Sequence, residues 1–238
     1  MIPLKFLRRH WHDIGVFSAM AAAIYLIVAW NDLHVLQRLL LVNFIIILLH
    51  QFEEYSWPGG FPAIFNMVFM PSSTPDRYPL NQNSSMVANL ILAYGFNLVP
   101  VFFHGAIWFG LAPVFLGVFI QVIGHVILIN YRLRSLYNPG VATALFGHLP
   151  VGILYIHHIQ ANHLVQSRDW AIAVGYLVVF VGLLSLLELK LLGDKNSPYP
   201  FDPDEMQRFG VAEKLERARR RRSSRTVAGI DTGSSRLV

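Results

Sequence analysis

The sequence predicts an all-α, polytopic integral membrane bundle of about six transmembrane helices, and three observations predict it. Hydrophobic residues make up 54% of the 238 and charged residues only 14%. A soluble domain carries about a quarter charged, so the apolar surface exceeds what one globular core hides. The apolar residues also gather into six windows of span length, and Lys and Arg are distributed unevenly among the connections between them.

The first window covers 14–30. Lys5, Arg8 and Arg9 ahead of it, with Ala19, Ala21, Ala22 and Ala23 within it, resemble a secretory signal with a cleavage site. The apolar run continues to Trp30, however, about the length of a span, which favours a retained first helix. The second window, 33–55, ends in a cluster of polar residues. Prolines and glycines in the segment that follows break any long helix, while FPAIFNMVFM stays apolar and reads as a re-entrant or interfacial piece. The other windows are 86–103, 107–131, 141–159 and 170–192, joined by short connections that favour antiparallel neighbours in one bundle. In the fifth, Asn138 suits an N-cap and Pro139 a helix start.

The organisation is therefore a six-helix transmembrane domain over 1–192 and a basic tail over 193–238. In the tail, NSPYPFDPDE reads as a stiff extended linker, EMQRFGVAEKLERARRRR as a basic surface helix, and SSRTVAGIDTGSSRLV as disordered. Six spans put Lys5, Arg8, Arg9, Arg77, Arg132, Arg134, Lys190, Lys195 and the tail on one side, leaving Arg168 and Arg38 on the other. By the positive-inside rule that side is the cytoplasm, which places both termini there and the chain in the cell (inner) membrane.

The net charge of +5 owes most to Arg217, Arg219, Arg220, Arg221, Arg222 and Arg225, a pattern of a membrane-surface tail and not of a nucleic-acid-binding domain. Absence of cysteine excludes disulfides, thiolate metal sites and cysteine nucleophiles, so any metal is held by nitrogen and oxygen. There is no internal repeat and no phosphate-binding glycine loop.

Ionisable residues inside a membrane cost roughly 2.5–3.5 kcal/mol each on insertion scales and mark function by default. His50, Glu53 and Glu54 end the second span. At about 100° per residue, Glu53 lies about 60° to one side of His50 and Glu54 about 40° to the other, so the three share a face, with Asn43 one heptad earlier. The fourth span carries Gln121 and His125, one turn apart, and the fifth carries His148. All three histidines fall in the same leaflet. Taken singly, a histidine such as His148 is an ordinary helix contact; together with two carboxylates they suit a divalent metal, for which zinc, iron and manganese all fit. The metal candidates are His50, Glu53, Glu54, His125 and His148; the catalytic candidates are Glu53, Glu54, Gln121 and Asn138. His104, His157, His158 and His163 fall toward the opposite face and read as interfacial.

HQFEE at 50–54, followed by His125 and by YNPG at 137–140, resembles the HXXEE-motif family of bacterial membrane proteins. The resemblance covers about 30–190 and implies an active or metal site at His50, Glu53 and Glu54, without a substrate. The chain has neither of the metalloprotease patterns HExxH and HxxEH.

The expected function is a metal-dependent, hydrolase-like enzyme acting on a lipid or other lipophilic small molecule from the cytoplasmic leaflet. One glutamate joins the histidines on the metal, the other serves as general base, and Gln121 and Asn138 orient ligands or substrate. The rival is a proton-coupled or metal transporter using the same cluster, with His148, Tyr155 and Asn162 lining a path. A structural subunit would leave the glutamates without a purpose. The sequence leaves the oligomeric state open.

Overall fold

A computed structural model describes residues 3–220. Arg221, Arg222 and Arg225 and the segment SSRTVAGIDTGSSRLV, read from the sequence as disordered, lie outside the described residues. The described chain is helical, without strands: α1 (Leu4–Val28), α2 (Val35–Tyr55), α3 (61–69), α4 (Gln82–Phe102), α5 (Ile107–Leu133), α6 (141–161), α7 (Ser167–Leu191), α8 (Pro203–Gln207) and α9 (211–220).

Among the described residues, α1, α2, α4, α5 and α7 are long and apolar enough to cross a membrane. The fifth window expected from the sequence forms α6, of similar length but outside that set of five; His148, Pro150, His157 and His158 dilute its apolar character.

Local chemistry sets the ends. At the start of α4 the Asn81 side chain accepts from the backbone of Asn83 and Ser84, and the Ser84 hydroxyl accepts from Asn81 N–H, each at 3.0 Å. At the start of α7 Asp169 returns a bond to the Gln166 N–H at 2.7 Å. The helices are interrupted by wider, π-helical turns at Ala88–Ala93, Leu116–Ile129, Ala144–His148 and Leu187–Leu191. Such turns are rare and concentrate at functional sites.

α2 is the central helix, packed by α1, α4 and α6, while α7 packs on α5. Leu40, Ile47 and Leu48 of α2 join Leu111 and Ala112 of α5 and Ile159 of α6 in the core. The outer faces remain apolar: Ile27 is 74% exposed on α1, Phe146 77% on α6 and Val178 65% on α7. Exposure of large apolar side chains on this scale is what a bilayer covers.

One end of the bundle is closed by short elements. In α3 the buried Asn66 amide donates to Pro75 O and Leu80 O at 2.7 and 2.9 Å and accepts from Leu80 N–H at 3.0 Å, pinning the loop that follows. The start of the tail lies across the same end. Residues 199–202 are non-helical, with Tyr199 O accepting from Gln82 N–H at 3.0 Å and Phe201 N–H donating to Asp76 O at 2.7 Å. Arg9 pairs with Asp202 and Asp204, and Arg208 donates to Tyr55 O at 2.5 Å at the end of α2. The helix expected over 205–222 is split by Phe209, whose φ of 62° lies in the left-handed region. Val211, just beyond, is fully buried against Ala63, Ile64, Ile129 and Leu133.

Candidate metal centre

α2 brings Asn43, His50 and Glu54 to the bundle interior, at 1%, 0% and 6% exposure. His125 arrives from the wide turns of α5 and His148 from those of α6. The His50 ring centroid stands 4.9 Å from that of His125 and 5.6 Å from that of His148. Glu54 Oε1 stands 3.2 Å from His125 Nε2 and 3.6 Å from His50 Nε2. One ligand atom from each of His50, Glu54 and His125 lies within 4.8 Å of the others.

Each imidazole is oriented through Nδ1. His50 Nδ1 is 2.7 Å from Thr143 Oγ1, which donates its own hydrogen to Glu53 Oε2 at 2.6 Å. A hydroxyl whose proton is committed can only accept, so His50 carries its proton on Nδ1. His125 Nδ1 is 2.9 Å from Asn138 Oδ1, and the amide is fixed that way round because Asn138 Nδ2 donates to His125 O and Asn130 Oδ1, both at 2.7 Å. His148 Nδ1 is 3.0 Å from Asn43 Oδ1, whose Nδ2 donates to Asn97 Oδ1 at 3.0 Å. In all three rings Nδ1 is engaged by a fixed acceptor, which leaves Nε2 of His50 and His125 beside Glu54 and Nε2 of His148 buried.

Nothing among the described residues donates to the buried Nε2 atoms of His50 and His148. His125 Nε2 faces a carboxylate oxygen, an acceptor facing an acceptor. Such a set is stable only with a cation at its centre, either a proton or a metal.

Glu53 turns to other partners. It accepts from Ala142 N–H at 3.0 Å, from Thr143 N–H at 2.9 Å, from Thr143 Oγ1, and from the Tyr137 hydroxyl at 2.9 Å. It thereby caps the start of α6, where the N-terminal amides favour an anion. Burial, then the bond to Glu53 and its charge, push the Tyr137 phenol pKa up.

Asn138 is fully buried and orients His125. Gln121 comes close to His50 but forms no hydrogen bond to its Nε2. Of the residues offered by the sequence, the structure thus converges His50, Glu54, His125 and His148, gives Asn138 a supporting place, and directs Glu53 to the helix start. Thr143 went unremarked in the sequence; its place in the first turn after YNPG was the available signal. Phe61, 5.9 Å from the His125 ring, and Phe209, 5.9 Å from the Tyr137 ring, wall the site on the tail side. Glu188 lies near Glu54 and Tyr55. The opposite-face histidines stay apart from the site: His34 and His104 stack at 5.0 Å, and His158 is 3.3 Å from the Asn162 amide.

Two small residues make room for the rings. A side chain at Gly140 would meet the His125 ring at 2.4 Å, and one at Gly117 the His148 ring at 2.5 Å.

No curated protein and no solved structure matches the chain. Residues 41–155, which carry His50, Glu54, His125 and His148, match the model of a family described as proteins of unknown function with an HXXEE motif. Over that segment, which builds the centre, the chain is similar to the HXXEE-motif family.

Proposed function

We propose that the chain is a six-span protein of the cell membrane with both termini in the cytoplasm, and that its centre is a metal-dependent, hydrolase-like enzyme site for a lipid or other lipophilic substrate. The observation that carries this reading is the Glu54 carboxylate set between the Nε2 atoms of His50 and His125, with the buried Nε2 atoms of His50 and His148 left without a donor. Nitrogen ligands bind zinc at about 2.0–2.1 Å, which sets tetrahedral neighbours about 3.3–3.5 Å apart. Separations of 3.2 and 3.6 Å from Glu54 Oε1 fit that scale. Iron and manganese accept the same donors.

In this reading His50, His125 and Glu54 would hold the metal, and Thr143 and Asn138 fix the ring orientations, as hydrogen-bond partners of metal-bound histidines commonly do. A divalent metal so held supplies a Lewis acid and a water of lowered pKa. Glu53 has its lone pairs committed, so the proton-accepting role passes to His148. Its Nε2 is free, and Asn43 Oδ1 supports the imidazolium that results. A lipophilic substrate is favoured because the centre is buried among helices with apolar outer faces.

Elemental mass spectrometry of the detergent-purified protein is the test. Near-stoichiometric zinc, iron or manganese, lost in Glu54→Gln, is the expected result; no metal after chelator-free purification and reloading overturns the reading.

A second reading has one observation in its favour. The Tyr155 hydroxyl, one heptad beyond His148, is buried without a partner and extends the polar path into the bundle. A proton-coupled or metal transporter would use such a path, and zinc uptake by proteoliposomes that stops in Tyr155→Phe would select it.

A further inference from the structure

Away from the centre, the end of α5 and α9 border a second feature. A cavity of about 190 Å³ is lined by Leu133, Arg134, Ser135, Lys214, Arg217 and Ala218. Three of these six residues are cationic and come from segments far apart in sequence. Among the described residues, no carboxylate pairs with any of them. Glu216, the nearest acid along the helix, is engaged with Arg220 at 2.5 Å, and Glu213 lies beside Gly210.

Two of the cations carry a local constraint, Arg134 in its backbone and Lys214 in its side chain. Arg134 has a φ of 49°, in the left-handed region that a residue with a side chain avoids unless its surroundings impose it. The Lys214 ammonium rests over the Phe209 ring, 3.0 Å from its centroid. Burial, then the charge of Arg217, pushes the Lys214 pKa down. Like charges brought together around a cavity repel, and an anion inside it relieves that repulsion.

The flanks indicate where the anion comes from. Tyr131 and Leu136, on either side of Arg134, are 81% and 98% exposed. An aromatic ring and an aliphatic chain projecting beside a basic pocket at the end of a span is the arrangement of a membrane interface.

We propose that Arg134, Lys214 and Arg217 form a binding site for the phosphate of an anionic phospholipid, whose acyl chains run past Tyr131 and Leu136. A bound headgroup clamps α9 to the end of α5. The site rests on the bundle's being in a bilayer and is independent of any metal.

Native mass spectrometry of protein released from vesicles of phosphatidylcholine with and without phosphatidic acid tests this. Wild-type protein is expected to retain phosphatidic acid preferentially, with affinity falling about fivefold for each cation replaced by alanine. The paired Arg134→Lys, Arg217→Lys variant should restore retention, which separates lost charge from lost folding. Equal retention of phosphatidic acid by wild type and the triple alanine variant overturns the site. So does displacement of the lipid by millimolar inorganic phosphate, which would make the ligand a soluble phosphate.

Discussion

The Glu53 carboxylate receives both the amide and the hydroxyl of Thr143, at 2.9 and 2.6 Å, and that same hydroxyl receives the proton of His50. One carboxylate therefore starts α6 and, through a single threonine, sets the tautomer of a histidine on its own helix. Bonds to a charged acceptor contribute about 1.5–3 kcal/mol each. Glu53→Gln should lower the unfolding free energy in mild detergent by roughly 2–4 kcal/mol, because the new amide group would face donors. An unfolding titration that leaves the variant as stable as wild type would remove Glu53 from this role.

Thr143→Val separates orientation from stability. It keeps the shape of the side chain but removes the acceptor of His50 Nδ1–H, so the ring loses its fixed tautomer. Metal affinity is expected to fall about 10–100-fold, as for other losses of a hydrogen-bond partner behind a ligating histidine. Competition with a chelator of known affinity measures it, and an unchanged constant would mean that Thr143 does not orient a metal ligand.

Gly140→Ala and Gly124→Ala form a matched pair. Gly140 has a φ of 105° and a Cβ there would lie 2.4 Å from the His125 ring, whereas a Cβ at Gly124 meets nothing within 4 Å. The first substitution should cost about 1–3 kcal/mol and displace His125, while the second should be nearly neutral. Metal content and unfolding midpoint, measured side by side, check both.

The tail should respond to pH through two neighbouring acids of opposite sign. Burial raises the Glu205 pKa above its ordinary value of 4.5, so Glu205 favours docking fully below that value and loses the contribution as pH rises through the raised one. Burial also raises the Asp204 pKa, but bonds and charges from Arg9 and then Arg208 outweigh it and hold the group below 3.8. Asp204 therefore favours docking above 3.8 and loses it as pH falls through the lowered value. Docking should be tightest at mildly acidic pH, and Glu205→Gln should remove the loss on the alkaline side. Protease cleavage between α8 and α9, followed against pH, reports this; identical profiles for the two proteins would contradict it.

Insertion of charge tests the outer surface. Val178 is 65% exposed on α7. Val178→Arg should disfavour membrane insertion by roughly 2.5–3.5 kcal/mol, whereas the same change on a water-facing helix would be close to neutral. Glycosylation-site mapping of the inserted fraction distinguishes the two.

Much of the centre was legible because α-helical spacing is rigid. Asn43, His50 and Glu54 share a face by arithmetic, and counting from helix ends placed His125 and His148 in the same leaflet. The division of labour between Glu53 and Glu54 was not legible, since their angles from His50 are nearly symmetric. What separates them is the arrival of the α6 amides beside Glu53, a contact between segments about 90 residues apart. The wide turns around His125 and His148 also lie outside any 3.6-residue period. Reading 196–205 as a linker weighted its prolines over Phe201, and reading 205–222 as a surface helix weighted its charges over Val211; both residues are buried.

Arg208 gives the molecule an order of assembly. Its guanidinium receives no charge partner from α2; it donates to the carbonyls of Tyr55 and Ser56, at 2.5 and 3.2 Å, where that helix runs out of internal donors. Those carbonyls are made 153 and 152 residues before it. The helix bearing His50 and Glu54 is made early in synthesis, yet two carbonyls at its end wait for their donor until the ribosome has passed residue 208. A chain that stops short of residue 208 therefore leaves the carbonyls at the end of α2 without this donor, whichever of the earlier helices have already packed.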